Sequence, residues 1–238
     1  MDTLSSPILT IIKLNNQGAH FVEIGLYGKA VSCFSKTLTI VKQLLDDSSS
    51  LQASTYPPES VGVMATMPGY FRAEIEIPRC SCEDVIASDE VFIFKHPIFL
   101  PENSMQLSWQ SSPSSLSFVV LYNLALSHQI ISTTIECHPK KLRKALLLYE
   151  LACTMGQRLK EENRHLTAIQ AMAILNNVGQ LHSALGDVHK AHQSFQTLLS
   201  TILFVRDGEG TESAKHLDGF MANIMPHIIK ESGSAPAA

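Results

Sequence analysis

The sequence predicts an all-α fold of stacked helix pairs, interrupted by one insertion that contains short strands. Three observations support this prediction: a pattern that occurs twice at identical spacing, apolar residues that recur with helical periodicity, and a Ser- and Pro-rich stretch between the helical parts. A chain of 238 residues is long enough for one substantial core. The predicted units are helix pair one (8–45), the insertion (46–114), helix pair two (115–162), helix pair three (163–205), a C-terminal capping helix (211–230) and a disordered tail (231–238).

The repeated pattern lies in two stretches about 160 residues apart. The first contains Leu14-Asn15-Asn16-Gln17-Gly18, Gly25, Ala30 and Phe34, and the second contains Leu175-Asn176-Asn177-Val178-Gly179, Gly186, Ala191 and Phe195. In both, the two glycines are 7 residues apart, the alanine follows the first glycine by 12, and the phenylalanine follows the alanine by 4. Antiparallel helices approach closely where side chains are small, so we expect Gly18 to face Ala30 and Gly179 to face Ala191.

Residues 8–45 are predicted to form two helices, because apolar residues recur every three or four positions on both sides of Gly25. Gly25 suits the left-handed conformation that commonly ends a helix. The run from Asp46 to Ser50 then ends the apolar pattern.

The insertion has a different pattern. Phe71–Ile77 alternates apolar and charged residues, as a half-buried strand does, and Val91–Phe94 and Ile98–Leu100 are further apolar runs. We predict two or three short strands, arranged as a hairpin on the helices. Pro78, Pro97 and Pro101 limit such strands to edge positions.

The second half of the chain returns to helical periodicity. Ser114 or Ser115 is predicted to cap the helix that follows, and His138-Pro139 marks the start of the next one. Residues 211–230 form the last predicted helix, and Met221 to Ile229 is apolar enough to require packing against the array.

Aligned on these positions, the chain resembles the tetratricopeptide repeat family, whose repeats carry Leu-Gly and an aromatic on the first helix and Ala-x-x-x-aromatic on the second. The spacing of 46 residues between Ala145 and Ala191 is closer to the longer, kinesin light chain-type repeats of this family. A split middle copy runs through Leu121, Ala125 and Tyr149. The resemblance implies a short superhelix of helical hairpins. The proline that usually closes each repeat is missing.

The resemblance also implies a concave groove that binds a protein or peptide partner. Its predicted lining is Asn15, Asn16 and Ala19 from the first copy, Tyr122, Asn123 and Leu126 from the second, and Asn176, Asn177 and Gln180 from the third. An amide side chain both donates and accepts, as a peptide unit does. The same amides could instead bond to neighbouring helices, and both interpretations stay open.

Acidic C-termini are not expected as ligands. Members of the family that bind them use Lys and Arg on the groove face. The corresponding positions here carry no cation: Ile12, Asn15, Tyr122, Ala173 and Asn176.

Composition and motifs limit the other possibilities. A net charge of −4 offers no field for nucleic acid, no apolar run approaches the roughly 18 residues of a membrane span, and five cysteines do not suggest a disulfide framework. Cys80, Cys82 and Cys137 have poor spacing for zinc, and no catalytic motif occurs. We therefore predict a cytoplasmic protein-interaction scaffold without metal or cofactor, or alternatively a structural subunit of a larger assembly. An enzyme that uses the insertion as a lid is the least favoured alternative.

Overall fold

A computed structural model describes residues 5–52, 92–101, 112–134, 139–161, 168–206 and 214–232. Within these ranges the chain is all-helical apart from its connections, as predicted, and residues 92–101 have neither helix nor strand. The helices are α1 (Ser5–Glu23), α2 (Tyr27–Gln52), α3 (Pro113–Thr134), α4 (Pro139–Glu161), α5 (Ala168–Ala184), α6 (Val188–Arg206) and α7 (Ala214–Ser232).

The helices pack in chain order. Each helix contacts the next one, and α2 contacts α3 directly although the insertion separates them in sequence. In addition, α1 touches α3, and α5 touches α7. The odd-numbered helices therefore supply neighbouring side chains at both ends of the molecule.

The turns after α1 and α5 are identical in construction. Gly25 and Gly186 have φ values of 77° and 80°, the left-handed conformation. The N–H of Leu26 donates to the carbonyl of Phe21 at 2.8 Å, and Asp187 N–H donates to His182 at 2.9 Å. These bonds and those of the two glycine N–H groups satisfy the last free carbonyls of each helix. The prediction that Gly25 ends the first helix is confirmed.

Helix starts are defined by polar caps and prolines. Ser112 caps α3, since its Oγ accepts from the N–H of Ser115 at 3.2 Å. The prediction of Ser114 or Ser115 as the cap is wrong, because Pro113 takes the first helical position, where its missing N–H costs nothing. Pro139 begins α4 in the same way, as predicted.

The small residues of the repeated pattern make a contact different from the one predicted. A methyl group on Gly18 would lie 2.6 Å from the Phe34 ring, and one on Gly179 would lie 2.8 Å from the Phe195 ring. The side chain nearest to each glycine is therefore the phenylalanine that lies four residues beyond the alanine expected there. Helical side chains lean toward the N-terminus of their helix, so each ring covers the turn that precedes it and fills the space over the glycine.

Helix α3 is the centre of the core. Eighteen of its residues are buried, including polar ones such as Asn123, Ser127 and Gln129. By length and composition alone its 22 residues could cross a membrane, but 89% of the apolar window is buried inside the fold. Packing between neighbouring helices accounts for that apolarity.

The described part of the insertion is not a strand. The apolar runs at Val91–Phe94 and Ile98–Leu100 were predicted as strands, but residues 92–101 pair with side chains instead of another strand. The predicted strand at Phe71–Ile77, the cysteines Cys80, Cys82 and Cys137, and the tail from residue 233 lie outside the described residues.

Candidate functional site

The candidate site is a row of asparagine side chains that hold residues 92–101, hereafter the bound segment. One asparagine comes from each odd-numbered helix: Asn16 from α1, Asn123 from α3, Asn177 from α5 and Asn223 from α7. These four are called the asparagine row. The bound segment lies along the row with its N-terminal end at α7 and its C-terminal end at α1.

At the α1 end, each amide contacts both polar groups of one residue. The N–H of Leu100 donates to Asn16 Oδ1 at 2.8 Å, and Asn16 Nδ2 donates to the Leu100 carbonyl at 2.7 Å. Asn123 holds Ile98 in the same way, with both distances at 2.8 Å. A residue in an antiparallel sheet exchanges the same two bonds with its opposite neighbour.

At the α7 end the arrangement repeats. Asn177 Oδ1 accepts from Phe94 N–H at 3.0 Å, and its Nδ2 donates to the Phe94 carbonyl at 3.1 Å. Asn223 makes the corresponding bonds to Phe92, at 3.1 and 2.6 Å. Residues 92, 94, 98 and 100 all present their backbone groups to one side, which is the alternation of an extended chain.

The residue that precedes each row member in α1, α3 and α5 takes a second carbonyl, two residues back along the bound segment. Asn15 Nδ2 donates to the Ile98 carbonyl at 3.1 Å, Tyr122 Oη to that of His96 at 3.3 Å, and Asn176 Nδ2 to that of Phe92 at 3.0 Å. Tyr122 thereby supplies a partner at the one alternate residue that no row member holds. Every second residue from Phe92 to Leu100 is therefore bound.

The asparagines also bond to one another between helices. Asn123 Nδ2 donates to Asn15 Oδ1 at 3.0 Å, which joins α3 to α1, and Asn223 Nδ2 donates to Asn176 Oδ1 at 2.7 Å, which joins α7 to α5. Each of these NH₂ groups has two donors, so one amide serves the bound segment and a neighbouring helix together. These contacts all lie within one chain, as the interpretation of internal bonding expects, and the binding of a partner peptide by the same amides stays a prediction.

Asn177 takes part in a further buried network. Its Nδ2 donates to Tyr149 Oη at 3.0 Å, and Tyr149 Oη donates to Gln129 Oε1 at 3.0 Å. Burial raises the pKa of Tyr149, against the effect of the Asn177 hydrogen bond, and burial together with Tyr149 raises the pKa of Tyr122. Both phenols are therefore neutral at physiological pH.

Apolar contacts complete the site at its α7 end. The Phe92 ring meets the Phe220 ring edge-on at 5.4 Å between centroids, and Phe94 stacks on Phe220 at 5.8 Å. A methyl group on Gly219 would lie 2.5 Å from the Phe92 ring, so only glycine allows this approach. Phe94 and Leu100 are buried, whereas Lys95, His96 and Phe99 are exposed.

Six of the nine predicted lining residues bond to the bound segment: Asn15, Asn16, Tyr122, Asn123, Asn176 and Asn177. The other three lie one turn further on. Ala19 and Leu126 are fully buried and Gln180 is half-buried. Within the described residues, Gln180 has no hydrogen bond to the segment.

Sequence reasoning missed Asn223 and the bound segment itself. Asn223 follows Asn177 by 46 residues, the spacing already seen between Ala145 and Ala191, and that spacing could have revealed it. The bound segment gave no comparable signal, because a short apolar run fits beside another strand as well as beside a row of amide side chains.

Titratable groups in the described residues form no metal site. No cluster of three His, Cys, Asp or Glu side chains occurs there. Cys33 and Cys153 are half-buried, Cys153 packs against the core, and burial raises the pKa of each.

Two histidines five residues beyond row members are buried but differ in their surroundings. His128 Nε2 has no hydrogen-bond partner among the described residues, and burial, with Lys144 and Lys141, lowers its pKa to about 4. His182 Nδ1 lies 3.8 Å from Asp187, which opposes the lowering of its pKa by burial.

Comparison of the chain with protein-family models, curated proteins and solved structures finds no match.

Proposed function

We propose that the protein is an interaction scaffold, built as a short tetratricopeptide-like superhelix, whose concave groove binds an extended peptide of a partner protein. The asparagine row lines this groove. The observation that carries the proposal is the paired contact of each row member with the N–H and the carbonyl of one residue in an extended segment.

Such contacts recognise a peptide by its backbone. Any non-proline residue offers one N–H and one carbonyl, so an amide that pairs with both tolerates many side chains. Pockets for alternate side chains then supply selectivity, as they do where a peptide adds to the edge of a sheet. The row uses side-chain amides in place of the neighbouring strand.

The neutral character of the site favours a neutral, apolar ligand. Ile12, Ala173 and Tyr122, where a carboxylate-binding groove would have cations, are all buried and uncharged. We expect an affinity of about 1 μM, about −8 kcal/mol, because ordering a flexible peptide offsets much of what the eleven hydrogen bonds contribute.

The test uses full-length protein in which Phe94→Ser and Leu100→Ser remove the two buried anchors of the bound segment. The probe is a fluorescent peptide with the sequence of residues 91–102, and a scrambled peptide is the control. We expect anisotropy to show micromolar binding of the probe alone. Adding Asn16→Asp should weaken it at least about tenfold, because a carboxylate cannot donate to the carbonyl at position 100.

Gln17→Ala is the matched control for Asn16→Asp, since Gln17 is the exposed neighbour on the same helix. It should leave the affinity unchanged. Absence of probe binding by a helical, folded variant would contradict the proposed function.

A structural subunit of a larger assembly is the second candidate. Leu147 and Leu151, one turn apart on α4, are 52% and 43% exposed, and a partner subunit could cover them. Sedimentation of the wild type at several concentrations tests this: a monomer throughout contradicts self-assembly, whereas an oligomer that Leu147→Glu dissociates supports it.

A further inference from the structure

We propose that the bound segment is a tethered competitor, which closes the groove until a partner peptide with the same side-chain pattern displaces it. The inference rests on the proposed function. The partner is an extended peptide with aromatic residues at its first and third positions and aliphatic residues at its seventh and ninth. It binds with its N-terminal end at α7.

The pattern follows from the four residues that the asparagine row holds. Phe92 needs the open surface of Gly219 and the edge of Phe220, and Phe94 stacks on the same Phe220 ring. Leu100 is 4% exposed at the other end of the row. Alternate positions of an extended chain point to the same side, so these side chains form one recognition face.

Some positions of the partner peptide between these anchors can carry any side chain. Lys95 and Phe99 are exposed. Pro97 lies at a position whose backbone no member of the asparagine row binds, so its lack of an N–H group costs no hydrogen bond to the row. A partner can therefore carry other residues at the fourth and eighth positions, and a proline at the sixth is compatible with binding.

Release of the bound segment requires no helix to unfold. Residues 92–101 belong to no helix, and the ladder that holds them is made by side chains of α1, α3, α5 and α7. In sequence, 39 residues lie between Gln52 at the end of α2 and Phe92. A segment that has left the groove therefore stays covalently joined to the helix array.

Tethering also determines how strongly the segment competes. A segment that is covalently joined to its binding site has an effective concentration of about 1 mM there. Against a ligand with an intrinsic dissociation constant of about 1 μM, it should weaken apparent binding by about 100- to 1,000-fold. Partner binding is therefore strong only where the segment has been released or the partner is abundant.

The first test compares wild type with the Phe94→Ser/Leu100→Ser variant, using the labelled 91–102 peptide. We expect the variant to bind at least about 100-fold more tightly. Equal affinity of the wild type and the variant would contradict the role of the segment as a competitor, while the proposed function would still hold. Failure of the folded variant to bind would overturn both, so the two failures are distinguishable.

Variant peptides test the pattern itself, with the numbers of this chain. A probe carrying Phe94→Ser should lose at least about tenfold in affinity for the open variant, whereas a probe carrying Lys95→Ala should bind as the parent does. Equal loss for both peptides would overturn the assignment of the recognition face.

Hydrogen exchange on the wild type needs no substitution and therefore covers the case of an unstable variant. If the segment leaves on its own, the amides of Phe94, Ile98 and Leu100 should exchange at least about 100-fold faster than those of the buried helix α3. Excess unlabelled 91–102 peptide should accelerate their exchange further, because it occupies the groove and keeps the tethered copy out. Exchange at the rate of α3 would overturn the proposal, because the segment would then open only with the whole fold.

Discussion

The first and third helix pairs carry the same residues at the same spacing, yet their asparagines make different bonds. Asn16 pairs with Leu100 and otherwise only accepts from its neighbour Asn15. Asn177 pairs with Phe94 and also joins α5 to Tyr149 and, through it, to Gln129. The same residue type at the same register therefore holds the bound segment in one copy and supports both the segment and the helix core in the other.

The comparison matters for any mutagenesis of the groove. Loss of binding in Asn177→Ala would mix the loss of a segment contact with damage to a buried network. Asn16 is the cleaner probe, because its bonds lie at the edge of the array, where the side chain is only partly buried.

The largest loss of stability is expected at the glycine–phenylalanine contact that the first and third helix pairs share. Gly179→Leu and Gly18→Leu should each lower the free energy of unfolding by about 3 kcal/mol or more, because the new side chain meets Phe195 or Phe34 at a distance that real atoms do not allow. Chemical denaturation measures it. Gly28→Ala in α2 has open space around it and should be neutral or slightly stabilising. Unchanged stability in either leucine variant would show that its ring moves aside freely.

Lowering the pH should destabilise the protein more through the buried histidine of the second helix pair than through that of the third. The pKa of His128 in the folded state is about 4, below the unfolded value of 6.5, so the unfolded chain binds the proton first as pH falls. Stability present above pH 6.5 should therefore be lost between pH 6.5 and 4, by about 3 kcal/mol. His128→Phe should remove most of this loss.

His182→Phe should have a smaller effect on the same acid profile, since Asp187 opposes the lowering of the His182 pKa. Urea denaturation at pH 7.0, 5.5 and 4.5 measures both. A wild-type stability independent of pH over this range would contradict the burial of a neutral His128.

The asparagine comparison predicts an intermediate effect. Asn177→Ala should cost about 2–3 kcal/mol, because it removes the buried Asn177 bonds to the Phe94 backbone and to Tyr149 Oη. Asn16→Ala should cost about 1 kcal/mol, because water can reach the exposed edge. Thermal unfolding of the two variants side by side checks the difference, with Gln17→Ala as the surface control. Equal destabilisation would remove the distinction between the copies.

The smallest effect concerns the two turns. Gly25→Ala and Gly186→Ala place a side chain at φ values of 77° and 80° and should each cost about 1 kcal/mol. Apart from the adjacent residues, no described atom lies within 4 Å of a methyl group at either position, so the cost is backbone strain alone and should be equal in both copies. Unequal costs, measured by denaturation, would show that the turns differ in their surroundings.

Much of the fold and part of the site could be predicted from sequence. The glycine that ends α1 and the register that brings Asn16, Asn123 and Asn177 into one row follow from spacing. The contact of Gly18 with Phe34 did not follow, because the direction in which a ring leans was left out of the spacing argument. The cap of α3 was misplaced by two or three residues, where several serines compete for one position.

The occupant of the row had no local signal. The sequence Phe92-Ile93-Phe94 belongs to a short apolar run of the kind found in strands, and its backbone groups would suit a neighbouring strand equally well. Only the approach of α5 and α7 provides amides at the right distance, so the strand prediction failed for a reason that lies outside the segment.

Periodicity and turn chemistry determine the helices of this protein, because a helix makes its backbone bonds four residues apart and places its apolar face at intervals that the sequence shows directly. The bonds of the bound segment join residues 83 and 84 positions apart at Asn177 and Asn16, and 131 apart at Asn223. Pairing over such distances has no spacing rule, since it depends on where packed helices place their side chains in space. The asparagine row could therefore be predicted from the sequence for the most part, whereas the segment that lies along it depends on the tertiary structure.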